Sequence, residues 1–154
     1  RDSRVPDNDG PWSILHMPAA HAELPPGLPP VEGLEDWQAR DLFASVLYPH
    51  FLLGVQGSVV TWYQVFPESA GKLKLKIHIC VPGAYTAFEG FDQIADEISH
   101  MVDAIHQEDI GANDTVWKGL NAPLTRQGRL SPLEKAIWQY NNWWLEKMAA
   151  EDRD

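Results

Sequence analysis

Asp109 is the residue whose setting in the sequence is hardest to explain by packing alone. Apolar residues recur at helical spacing from Phe91 to Ile105, and Asp109 follows Ile105 by four positions on the same helical face. A carboxylate on a buried stripe is costly unless it is paired or binds a metal. Two interpretations stay open: the helix ends near Gln107 and Asp109 caps the next segment, or the helix continues and Asp109 is a metal ligand. The pattern alone favours the first.

Histidines offer further metal ligands, and one pair has four residues between its members. These are His16 and His21, but Pro18 lies between them and prevents a shared helix face. We therefore expect two surface histidines in a proline-rich loop. His106 is close to Asp109 and could reach a pocket, although an exposed helical histidine is the more common arrangement.

The composition limits the classes of partner. With 12 Lys and Arg against 22 Asp and Glu, the 154-residue chain carries a formal charge of −10. We expect no nucleic acid and no anionic membrane as partner, because both require clustered basic residues. The single cysteine, Cys80, excludes an internal disulfide and any iron–sulfur cluster held by this chain alone. We expect Cys80 to be a small core residue, and the simplest location is a reducing cytoplasm.

Alternation of apolar and polar residues predicts antiparallel strands. Residues 58–66 and 72–81 alternate most clearly, and an apolar run at 51–55 precedes a hairpin turn. These three consecutive strands form a meander with one buried face. Residues 12–17 predict one further short strand, and residues 35–47 are mixed and predict a short helix.

Two helices follow the predicted sheet, which makes the chain a single α+β domain over residues 1–154. The first is the long helix that begins near Phe91. The second begins at a capping box with Ser131 at the N-cap, Pro132 at the first position and Glu134 at the third. A long helix over a sheet is one way to build a ligand cavity. The buried stripe predicted for the second helix comprises Leu133, Ile137, Tyr140, Trp144 and Met148.

Three motifs in a fixed order resemble the C-terminal end of Rieske non-haem iron oxygenases, the large subunits of aromatic-ring hydroxylating and related oxygenases. They are Glu-Asp-Ile at 108–110, Val-Trp-Lys-Gly-Leu at 116–120, and Gly-Arg-Leu-Ser at 128–131 with Glu134. The resemblance extends from about residue 10 to residue 148. It implies a helix-grip (START-like) fold, with an antiparallel sheet around a long helix, that is incomplete at its N-terminal side.

The family resemblance assigns a role to Asp109. Members hold one Fe(II) ion by two histidines and one carboxylate, and that carboxylate lies in the Glu-Asp motif. Asp109 is therefore the metal ligand implied here, with the two histidines outside this chain and no other catalytic residue within it. Helical geometry added to the resemblance predicts that Met101, Val102 and Ile105 line an apolar substrate pocket.

The resemblance also implies parts that this sequence lacks. The family's [2Fe–2S] cluster needs two cysteines and two histidines in an N-terminal domain, which Cys80 alone cannot supply. The spacing of His16 and His21 matches that of the family's iron histidines, but their sequence context does not. We expect the C-terminal part of a catalytic domain, inactive alone. The intact subunit would be a homo-oligomer that hydroxylates a small apolar or aromatic substrate with O2, using electrons from a reductase or ferredoxin.

Two alternatives from other functional classes stay open. The chain could be a metal-free helix-grip module that binds a small apolar ligand. It could also be a structural piece that folds by docking onto another segment or onto a second copy, since exposed sheet edges favour pairing.

Overall fold

A computed structural model describes residues 2–20, 27–126 and 128–151. They form a five-stranded antiparallel sheet in which each strand pairs with the next along the chain. The predicted α+β class is confirmed, and the meander has five strands where three consecutive ones were predicted. The strands are β1 (Trp12–Met17), β2 (Leu42–Leu47), β3 (Phe51–Gln56), β4 (Val59–Ser69) and β5 (Lys72–Cys80).

The additional strand lies where the sequence predicted a short helix. Only Asp36–Arg40 is helical (α1), and it begins at a capping box between Glu35 and Gln38. Asp41 is extended, with φ of −74° and ψ of 146°, and leads directly into β2. Pairing of β2 with both β1 and β3 overrides the weak local preference of this segment.

The long helix α2 (Phe91–Leu120) has 30 residues and does not end near Gln107. At 1.5 Å per residue it is roughly 45 Å long. Its far end is held by Trp117, whose Cζ2 would lie 2.6 Å from a Cβ placed on Gly71, so the indole lies against that glycine. The interpretation of Asp109 as a cap of the next segment is therefore wrong. Within the described part of the chain, no helix is long and apolar enough to cross a membrane.

The C-terminal helix α3 (Lys135–Glu151) begins as predicted but buries a different face. The capping box at Ser131 and Glu134 is present, followed by a 3-10 turn over Pro132–Glu134. Leu133, predicted to be buried, is 80% exposed, whereas Gln139 is only 4% exposed. The predicted stripe is wrong because hydrogen bonds of Gln139 turn the helix toward β1. Four of its five members are exposed: Leu133, Ile137, Trp144 and Met148.

The apolar interior is thin. Among the described residues, Ala39 and Tyr48 are the buried hydrophobic ones, and the chain exposes 11,969 Å². A compact monomer of 17.3 kDa would expose about 7,800 Å². Cys80 is exposed on the edge strand β5, so its prediction as a core residue is wrong. Many large apolar side chains of the described residues are thus exposed instead of filling a core.

Candidate functional site

A cavity of about 750 Å³ lies between α2 and one face of the sheet. We call this face the inner face, and strands β1 to β4 all contribute residues to the cavity lining. The strand register explains the space. Ala44, Gly54 and Thr61 are direct cross-strand neighbours at the centre of the inner face. Small side chains there leave room that large ones would fill. The volume falls within the range of about 300–1,000 Å³ typical of small-molecule sites.

One wall of the cavity belongs to α2, and it includes the three residues predicted to line a substrate pocket. Met101, Val102 and Ile105 all border the cavity, together with Ile98 and His106. Val102 is half-buried, whereas Met101 is 56% and Ile105 51% exposed. Their contact with substrate stays a prediction.

The cavity lining is uncharged. No Asp, Glu, Lys or Arg occurs among its described residues. Three of its polar side chains are already hydrogen-bonded within the protein. Ser13 Oγ donates to Gln139 Oε1 at 2.6 Å, Gln56 Nε2 to Arg40 O at 2.8 Å, and Thr61 Oγ1 to Gly54 O at 3.4 Å. Such a lining favours a neutral, mainly apolar ligand.

Two polar side chains meet across the cavity, Tyr63 from β4 and His106 from α2. Their ring centroids are 5.5 Å apart. His106 Nδ1 donates to the carbonyl oxygen of Val102 at 2.6 Å, one helical turn earlier. The sequence indicated that His106 could reach a pocket. The same alternation that defined β4 already put Tyr63 on one face with Val59 and Thr61.

Asp109 lies on α2 three residues beyond His106, exposed to solvent and outside the described lining of the cavity. The described residues contain no group of three or more His, Cys, Asp or Glu side chains arranged to hold a metal ion. A single carboxylate is an incomplete donor set for iron. The side chains described here therefore do not fit a metal ion by themselves.

His16 is not the surface histidine that the sequence predicted. It lies in β1, and its Nε2 is 2.6 Å from Oδ2 of the buried Asp41. Its ring stacks on Phe43 with centroids 4.6 Å apart, on the face of the sheet away from the cavity. Asp41 also accepts the backbone N–H of Ala19 at 3.0 Å. His16 thus fastens the end of β1, while His21 lies outside the described residues.

Comparison with known proteins points in one direction. A family model described as "Ring hydroxylating alpha subunit (catalytic domain)" matches residues 6–150. The chain is 28% identical over 110 residues to the chloroplastic choline monooxygenase of Amaranthus tricolor, covering 70% of this chain and 24% of that protein. It is 26% identical over 114 residues to the chloroplastic choline monooxygenase of Beta vulgaris, covering 73% and 25% respectively.

The chain spans about a quarter of the length of the curated relatives that it matches. No solved structure matches it. The family-model match extends over nearly the whole chain and includes every strand and helix described above, except the last residue of α3.

Proposed function

Because the chain belongs to the family of ring-hydroxylating oxygenase alpha subunits (catalytic domain), we propose that it forms the C-terminal part of such a domain and that its cavity holds the substrate. The observation that carries this proposal is the uncharged cavity of about 750 Å³ between the inner face and α2. The intact subunit would hydroxylate that substrate with O2 at an iron ion. Electrons would come from a ferredoxin or reductase by way of a [2Fe–2S] cluster outside this chain.

For the substrate we propose a neutral apolar or aromatic molecule. The relatives are named for choline, which carries a quaternary ammonium group. A buried cation needs a carboxylate or an aromatic cage. The described lining residues include no carboxylate. They include no Phe or Trp, and Tyr63 is their single Tyr. Ile98, Met101 and Val102 instead offer an aliphatic wall to an apolar body.

For Asp109 we propose the role of one metal ligand, with the other donors supplied from outside this chain. The continuity of α2 supports this role, since Asp109 follows the cavity residue His106 by about one helical turn. Because the carboxylate is exposed, metal ligands from another segment can approach it. This chain itself would bind and orient the substrate and exclude water from one side of it.

Substrate binding in the cavity is tested by calorimetric titration with 2-methylnaphthalene. We expect saturable binding that Val102→Phe weakens at least about 10-fold, because the larger ring occupies the ligand's space. Ala104→Phe is the matched control, since Ala104 is exposed on the same helix and does not line the cavity. Equal binding by both variants would contradict the cavity as the site, and tighter binding of choline would contradict the substrate class.

The role of Asp109 is tested in the intact subunit by measuring iron content. Asp109→Asn should lose the mononuclear iron and keep the visible absorption of the cluster, because a neutral amide replaces the anionic ligand. The matched control is Glu108→Gln, the neighbouring exposed carboxylate, which should keep both. Full iron occupancy in Asp109→Asn would overturn the assignment.

The second candidate function is a metal-free module that binds a small apolar ligand. The observation favouring it is that the described residues do not bring three metal-binding side chains together. This candidate predicts that ligand affinity in the intact subunit is unchanged by a chelator and by Asp109→Asn. The oxygenase proposal predicts that iron loss abolishes turnover.

A further inference from the structure

We propose that His106 is a substrate-binding residue that accepts a hydrogen bond from the substrate, so that the preferred ligand carries one hydroxyl or N–H group on an otherwise apolar body. This inference rests on the proposed function of the cavity and names the substrate class more closely. Its basis is the hydrogen bonding of His106 and of the other polar groups around the cavity.

The tautomer of His106 follows from its hydrogen bond to the helix backbone. A carbonyl oxygen can only accept, so Nδ1 must carry the proton that it shares with Val102 O at 2.6 Å. In the neutral imidazole the other nitrogen, Nε2, then has a free lone pair and is an acceptor. Nε2 makes no hydrogen bond to any residue in the described part of the chain.

The ring of His106 is held at the cavity wall by two contacts. The bond from Nδ1 fixes one edge of the imidazole against its own helix. Tyr63 from β4 meets the ring at a centroid distance of 5.5 Å and an interplanar angle of 38°. His106 is half-buried and lines the cavity. Because the ring is already fixed, little side-chain entropy is lost when a ligand hydrogen-bonds to its acceptor nitrogen.

The other polar side chains of the lining are less able to select a ligand. Ser13, Gln56 and Thr61 already donate hydrogen bonds within the protein. Ser45 belongs to the outward-facing register of β2, opposite Leu53. Ser58, in the turn between β3 and β4, is only 6% exposed, and Tyr63 packs its ring against His106. Among the described lining residues of α2, His106 is the one with a polar side chain, and its Nε2 is the free acceptor. It lies one turn before Asp109, so the donor group of the ligand would be held at the Asp109 end of the cavity.

The ligand class that fits is a neutral phenol, alcohol or aromatic amine. A donor group facing Nε2 gains a hydrogen bond that a methyl group in the same place cannot make. A net hydrogen bond is worth about 1 kcal/mol, which corresponds to roughly a 5-fold difference in affinity. The methyl group gains apolar burial of its own. The hydrogen bond is therefore measured by how the ratio of the two affinities changes when His106 is replaced.

A matched pair of probes tests this inference on the full 154-residue chain by titration calorimetry at neutral pH. 2-Naphthol carries a donor hydroxyl, and 2-methylnaphthalene has a methyl group of similar size in its place. We expect the ratio of the 2-naphthol affinity to the 2-methylnaphthalene affinity to be about 5-fold higher in wild-type protein than in His106→Phe. His106→Phe should weaken the binding of 2-naphthol and leave affinity for 2-methylnaphthalene within about 2-fold.

Two conservative variants separate positioning from structural support. In His106→Gln the amide oxygen reaches the place of Nε2, whereas in His106→Asn the amide group replaces Nδ1 and can still bond to Val102 O. We expect the affinity ratio of the two probes in His106→Gln to be close to that of wild type, and the ratio in His106→Asn to be close to that of His106→Phe. Met101→Ala should weaken both probes by the same factor, because it removes apolar contact only.

The outcomes distinguish this inference from the proposed function on which it rests. An affinity ratio of the two probes that is the same in wild type, His106→Phe and His106→Asn would overturn the role of His106 and leave the cavity as the binding site. Failure of both probes to bind wild-type protein would overturn the proposed function and this inference together.

Discussion

The two ends of the sheet are built in opposite ways. At the β1 end, Tyr48 donates to Ser13 Oγ, Ser13 donates to Gln139 Oε1 at 2.6 Å, and Gln139 donates to Pro6 O at 2.8 Å. The side chains of Ser13, Tyr48 and Gln139 are buried, and the network ties the N-terminal segment, β1 and α3 together. At the β5 end the outer edge of the sheet is open, and Leu73 is 57% exposed.

The difference shows where this chain is rigid on its own. Buried polar groups that satisfy one another fix a single arrangement, because any displacement leaves a donor or acceptor unpaired. The β5 end instead carries Lys72, Lys74 and Lys76 on its edge strand, a pattern that discourages pairing with other sheets. The cavity lies between the fixed β1 end and this open edge.

The largest effect should follow from cutting the network at the β1 end. Gln139→Ala removes a donor and an acceptor, so that the Ser13 hydroxyl loses its acceptor and Pro6 O loses its donor. We expect the free energy of unfolding to fall by about 3 kcal/mol, measured by urea denaturation. Leu73→Ala at the β5 end is the control and should cost less than about 1 kcal/mol, because its side chain is largely exposed. Equal losses would contradict the contrast between the ends.

A smaller loss of stability should follow from disturbing a tight contact near the β5 end. Gly71→Ala would place a Cβ 2.6 Å from Trp117 Cζ2, so the indole must move. Because the indole is 45% exposed and can move, we expect a loss of about 1 kcal/mol in the free energy of unfolding and a shift in Trp fluorescence. The control Gly83→Ala meets nothing within 4 Å and should be nearly neutral. A neutral Gly71→Ala would show that α2 is not anchored there.

The smallest effect concerns a surface ion pair at the β1 end. Lys135 Nζ lies 2.6 Å from Asp7 Oδ1. The hydrogen bond from Lys135, and then its charge, hold the pKa of Asp7 below the usual value. The stabilising contribution is therefore complete above the usual pKa of Asp7 and is lost as the pH falls through the lowered one.

NMR titration of the side-chain carboxyl should detect this effect. Lys135→Met should raise the pKa of Asp7 toward its usual value, whereas Lys147→Met, elsewhere on α3, should leave it unchanged. An unaltered pKa in Lys135→Met would mean that the pair does not persist in solution.

Local patterns in the sequence predicted the parts of this fold that local physics determines. The alternation in β4 and β5 and the capping box at Ser131 depend on neighbouring residues only, and both are confirmed. Residues 42–47 required their partners β1 and β3 to become a strand. The buried face of α3 depends on Gln139 meeting Ser13, 126 positions earlier. An apolar stripe cannot reveal such a contact.

The candidate site also combines features that local sequence patterns predict with features that depend on long-range contacts. Helical periodicity predicted that Met101, Val102 and Ile105 share a face, and they do border the cavity. The cavity itself depends on Ala44 and Gly54 meeting across two strands, which no local pattern encodes. The role of Asp109 stays a prediction, because the other proposed metal ligands are not among the described residues.

The central claim is that an apolar ligand enters the space between the inner face and α2, and methyl NMR tests it most directly. The chain has three methionines, so selective methyl labelling yields three assignable signals. Titration with 2-methylnaphthalene should shift the Met101 methyl signal and leave that of Met148, on the exposed face of α3, unchanged. Saturable binding that moves Met148 and leaves Met101 in place would contradict the claim.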